Sequence, residues 1–157
     1  MIYKYSYDGC EDKGWRWAAG RDPVNYLDLN KFVEKTDTSY YQIISDKTDF
    51  VYVPKKEKLS SDEVNKYHLG KRDGMYNNIG SAFSIKVAFG NNNSPLVEGI
   101  LTVSTYGKHF TDNIDIEKAD DVFKRMIIDE IFPYYKRLIE LEFGMLYLRH
   151  VRRDVGE

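Results

Sequence analysis

The chain has 157 residues, a net charge of −2 and a pI near 6.0. That length suits one domain with one real core, and the charge argues against a dedicated nucleic-acid binder, which carries a basic excess. Hydrophobic residues at 42% and charged residues at 31% are a globular balance and argue against disorder. No apolar run reaches the ~20 residues that cross a bilayer, and Lys4, Ser6 and Asp8 interrupt the start too early for a signal peptide. Cys10 is the only cysteine and cannot form an internal disulfide, which fits a reducing cytoplasm.

Tyr3, Tyr5 and Tyr7 alternate with Lys4 and Ser6, a period of two that predicts a strand. Trp15 and Trp17 flank Arg16 in a second short run, so a hairpin over residues 2–19 follows, with its loop around Asp8-Gly9. Thirteen tyrosines suit either β-propensity or pocket walls, because the ring is apolar and its tip polar. Residues 25–45 carry two broken helical faces, the second capped by Asp37-Thr38-Ser39. Phe50-Val51-Tyr52-Val53 predicts a strand that Pro54 stops.

Residues 55–78 are polar, with a short helix predicted from Ser60 or Ser61 to Tyr67 or Leu69 and a loop marked by Gly70 and Gly74. A connection this long and polar covers a site or stays mobile. Ile85, Val87 and Phe89 then share one face of a strand; residues 90–95 form a turn; residues 99–105 return with apolar side chains on both faces, as in a covered central strand. A helical spacing runs over residues 115–153, from Val122 and Phe123 to Leu148. Pro133 predicts a kink in it, and Arg149, Arg152 and Arg153 suit its negative end. Its second half, residues 139–151, is apolar enough to want a partner, which predicts a homodimer.

Several of these residues resemble the second half of a GAF domain. Gly80-Ser81 with Phe83, Ile85 and Val87 is similar to that family's GS-x-x-x-I-x-V strand start; Gly99 to Ser104, GILTVS, is similar to its following strand; Phe110 stands where the family has a phenylalanine before its closing helix, and residues 126–148 resemble that helix. The resemblance covers residues 50–148. It implies an α+β fold: a central antiparallel β-sheet with flanking helices and a long C-terminal helix that dimerises. It also implies a ligand on the other sheet face, under the loops and short helices between the middle strands. The family's opening helix has no counterpart, so the single domain over 1–157 is either a variant of the fold or a fragment of a longer protein; the fragment is the expectation, with a membrane anchor or another domain upstream. The cyclic-nucleotide motif NKxD is absent too: Asn65-Lys66-Tyr67-His68 lacks the aspartate.

Lys55, Lys56 and Lys58, with Lys71-Arg72, read either as an anion site on which Tyr76 or Tyr41 stacks a base or as a solvated basic loop. Tyr76-Asn77-Asn78 reads as a polar ligand edge or as an ordinary turn. His68, His109 and His150 lack metal spacing, and no histidine can be placed beside Cys10 as a base. The expectation is therefore a cytoplasmic, non-enzymatic sensory domain without cofactor, metal or catalytic residues. It binds a small ligand, anionic if the lysines contact it, through Tyr41, Lys55, Tyr76, Asn77, Ser81 and Ser84, and signals through the last helix of a homodimer. The alternatives are a ligand-free dimerisation or docking module of the same fold and a small nucleotide-processing enzyme. Neither nucleic-acid binding nor membrane insertion of this segment is expected.

Overall fold

The structure is a computed structural model that describes residues 1–18, 29–36, 38–45, 48–59, 67–91, 94–111 and 116–155. Strands β1 (Ile2–Tyr5), β2 (Arg16–Trp17), β3 (Phe50–Val53), β4 (Ala82–Asn91) and β5 (Ser94–Ser104) form one antiparallel sheet in the order β2-β1-β5-β4-β3. The short helices are α1 (Leu29–Val33), α2 (Ser39–Ile44) and α3 (Lys71–Gly74); the chain closes with α4 (Ile116–Arg125), a π-helical stretch (Met126–Ile131) and α5 (Phe132–Val155). The class is α+β, as expected.

Strand alternation sorts the sheet into two faces, because Tyr3 pairs with Gly99, Tyr5 with Val97 and Phe50 with Ile85. One face presents Tyr3, Tyr5, Ile85, Val87 and Val97, and α5 covers it with Phe132, Ile139, Phe143, Leu146 and Tyr147. The tyrosine run is thus largely a mount for the last helix: the Tyr5 hydroxyl donates to the Leu146 carbonyl at 3.3 Å, and Tyr7 meets Tyr147 edge-on at 5.3 Å between centroids. Helix α4 docks on the same face through Phe123, which stacks on Phe110 at 4.8 Å and on Tyr52 at 5.4 Å. Gly99 lies where the Phe143 ring crosses the sheet; a Cβ there would collide with that ring and sit 2.8 Å from the Ile2 carbonyl oxygen.

The opposite face carries Ile2, Val51 and Ile100, packed against Val33 of α1 and Ile43 of α2, while Val53 and Ala82 pack against Tyr67. Thr38 caps α2: it is extended, and its hydroxyl accepts from the Tyr41 N–H. The polar turn is tighter than expected, since β4 runs through Asn91 and β5 resumes at Ser94, with Pro95 opposite Gly90 at a bulge. Gly70 and Gly74 mark a helical turn rather than a loop, because the Asp73 carboxylate accepts the Gly70 N–H at 2.8 Å and nucleates α3. The helix predicted from Ser60 or Ser61 falls largely outside the described residues. Around Pro133 the irregularity takes the form of the π stretch: the Phe132 N–H reaches back to the Ile127 carbonyl. That wider turn makes room where a proline supplies no N–H and crowds the preceding carbonyl.

Candidate functional site

Two features of the fold stand out chemically: a buried polar cluster at one end of the α1–α2 face of the sheet, and the outer side of α5. The cluster starts where Pro54 ends β3 and the chain turns into a 3-10 segment, Lys56–Lys58. The Lys56 N–H donates to the Gly80 carbonyl at 2.8 Å, and the lysine stem passes so close to Gly80 that a Cβ there would lie 2.8 Å from its Cε. Lys56 Nζ donates to Asp73 Oδ1 at 2.5 Å and to Ser104 Oγ at 3.1 Å. Ser104 also shares a hydrogen bond with the Tyr67 hydroxyl at 2.8 Å. The ammonium lies 4.2 Å from the Tyr106 ring centroid and 5.1 Å from that of Tyr67. Lys56 is 1% exposed and Asp73 2%.

Every charge in this cluster is matched. Asp73 spends one oxygen on Lys56 and the other on Gly70, and its own carbonyl accepts the Asn78 N–H at 2.8 Å. Burial pushes the Tyr67 hydroxyl well above the ordinary tyrosine value, partly opposed by its bond to Ser104. With the ammonium held by a carboxylate, a hydroxyl and two rings and closed to solvent, the arrangement clamps the β3 exit, α3 and the end of β5 together. Removing Lys56 from the basic run leaves Lys55 half-buried at the start of the 3-10 turn and Lys58 exposed. Nearby, His109 Nε2 sits 2.8 Å from Glu57 Oε1. Burial works to raise the Glu57 carboxyl, but hydrogen bonds from backbone and from His109 outweigh it and hold the group below its usual range.

The six expected ligand residues are distributed over separate environments. Ser81 is buried, with its hydroxyl donating to the Pro54 carbonyl at 2.5 Å and accepting the Phe110 N–H at 3.1 Å. Ser84 is buried on the α1–α2 face of the sheet and bridges Ser39 of α2 at 3.2 Å to Thr102 at 2.9 Å. Tyr76 and Asn77 lie in the exposed turn after α3; Asn77 and Asn78 hold the left-handed φ values 54° and 61° that asparagine tolerates, and Tyr76 meets Tyr106 at 6.0 Å. Tyr41 is half-buried on α2, and Lys55 is half-buried at the start of the 3-10 turn after β3. A cavity of about 140 Å³ does exist between the sheet and α2, lined by Lys4, Trp15, Ile43, Ile44, Lys86 and Glu98 among others, none of them an expected residue. Within it Lys4 Nζ pairs with Glu98 at 3.2 Å and lies 5.3 Å from the Trp15 ring.

One histidine does stand beside the cysteine. His150 Nε2 lies 3.7 Å from Cys10 Sγ, and its ring stacks on Tyr5 at 3.9 Å. A separation of 140 positions conceals this in the sequence. The thiol is buried and points at the Asp12 carbonyl, 3.3 Å away, so the pair packs α5 onto β1. Among the described residues, no group of three His, Cys, Asp or Glu could hold a metal ion, and no helix is long and apolar enough to cross a membrane.

The outer side of α5 is the second feature. Ile131, the last residue of the π stretch, and Tyr134, Leu138, Leu141, Met145 and Leu148 of α5 are 37% to 78% exposed. Their spacing is 3, 4, 3, 4, 3, the a/d repeat of a coiled-coil seam. At about 100° per residue they lie nearly diametrically opposite Phe132, Ile139, Phe143 and Leu146, which hold the sheet. The helix is therefore apolar on two sides, and only one is covered. Compared with family models, characterised proteins and solved structures, the chain matches none of them.

Proposed function

We propose that the chain is a non-enzymatic regulatory module of the GAF-like kind that acts as a dimer through its last helix. The observation that carries this reading is the bare a/d stripe from Ile131 to Leu148, on a helix whose other side already has its partner. Two further features support it. The sheet is antiparallel with its long helix on one face and short helices on the other, the layering that the GAF-like resemblance implies. Beside the cavity at α2, the chain's own Val33, Ile43 and Tyr67 pack against the face on which that resemblance puts a ligand, which favours dimerisation over ligand binding as the main role.

Light scattering at tens of micromolar tests it. The expected mass is that of two chains, and Leu138→Glu with Leu141→Glu should give one chain with unchanged circular dichroism, because both side chains are outside the core. A monomeric parent protein overturns the reading. A sensory role retains one specific support, the 140 Å³ cavity with Lys4, Trp15 and Glu98. Mass spectrometry of small molecules released on denaturation, repeated on a Trp15→Ala variant, checks it: a defined molecule lost in the variant is the supporting result.

A further inference from the structure

Resting on that dimer reading, the geometry points to a parallel, in-register pair of α5 helices, with Arg137 of each copy opposite Glu142 of the other. With Ile131, Leu138 and Met145 at a, and Tyr134, Leu141 and Leu148 at d, Arg137 falls at g and Glu142 at the next e. Both side chains are exposed. In a parallel two-stranded coil each g residue faces the following e residue of the partner. Two-fold symmetry therefore makes two Arg137–Glu142 pairs, one on each side of the seam.

The antiparallel arrangement that buries the same six residues is poorer. It pairs g with g and e with e across the seam. Sliding the copies so that Ile131 meets Leu148 then sets Arg137 against Gly144 and Glu142 against Tyr135, and neither contact matches charge. The apolar seam is equally long in both, about 27 Å at 1.5 Å per residue, so the charges decide orientation. They act as specificity elements, since an exposed pair contributes only ~0.2–1 kcal/mol while a reversed one repels. The pairing also puts the two sheets at the same end of the seam, each on the outward side of its own α5.

The full chain carrying Leu148→Cys tests this. In the parallel pair the two introduced thiols face each other across a d layer, within reach of a disulfide; in the antiparallel pair each meets Ile131. Mild oxidation should convert most of the variant into a covalent dimer, while the parent, whose Cys10 is buried, should not cross-link. Arg137→Glu should weaken the dimer at least tenfold by dilution sedimentation, and Arg137→Glu with Glu142→Arg should restore it. A dimeric Leu148→Cys protein that fails to cross-link, or one that cross-links only when mixed with Ile131→Cys protein, overturns the parallel arrangement and leaves the dimer standing. A monomeric parent removes both.

Discussion

Replacing Asp73 by alanine would leave the Lys56 ammonium with the Ser104 hydroxyl and two aromatic rings, 1% exposed and without its counter-charge. An uncompensated buried charge costs ~3–5 kcal/mol. Loss of the Gly70 contact adds ~1 kcal/mol. The variant should therefore lose about 4–6 kcal/mol relative to the parent. Urea unfolding measures it, at one fixed protein concentration so that any self-association affects both proteins alike. A penalty under ~1 kcal/mol, the range of an exposed pair, would show that water reaches Nζ. It would also show that the cluster is not a closed clamp.

Gly99→Ala should cost ~1–3 kcal/mol, because the added methyl meets the Phe143 ring and the Ile2 carbonyl; an unchanged melting temperature refutes the close packing of α5 on β5. Alkaline stability follows from Tyr5 and Tyr67. Burial, helped by Tyr3, pushes Tyr5 up to about 12, and burial also raises Tyr67. Both are raised above the unfolded value near 10, so their contribution is complete below pH 10 and is lost as the pH climbs toward 12. Melting temperature should fall steeply over that interval, with part of the tyrosinate absorbance appearing only as the protein unfolds. Smooth titration of all tyrosines near pH 10 in the folded state is the contrary result.

Strand content was legible because alternation carries it: Ile85, Val87 and Phe89, and the both-faces-apolar pattern of β5, translate directly into a covered central pair. Thr38 as a cap was legible for the same local reason. The Lys56 cluster was not. Alternation stops at Pro54, and the 3-10 turn after it decides which of two adjacent lysines turns inward; Lys55 and Lys56 are equivalent in composition, yet Lys56 is fully buried and Lys55 only half-buried. A partial signal existed at Gly70-Lys71-Arg72-Asp73, where an acidic residue three positions after a glycine can close the first turn of a helix. On α5 the helical spacing through Leu138, Leu141, Met145 and Leu148 marked the side that is bare; the side that holds the sheet, with Ile139, Phe143 and Leu146, was not separated from it, because both sides are apolar and spacing alone does not say which one meets the sheet.

The tyrosine mount on β1 has a consequence for how the chain is made. Ile2 pairs with Ile100, and the Tyr5 hydroxyl waits for the carbonyl of Leu146, 141 residues downstream. At ~5–20 residues per second, synthesis takes ~7–28 s to bring that partner into existence. Until then β1 cannot have both its β5 partner and the α5 cover on its tyrosines. The sheet closes late, around a strand inserted between β2 and β5, so folding of this domain has a high contact order. The segment that waits longest for its partners is Ile2–Tyr5.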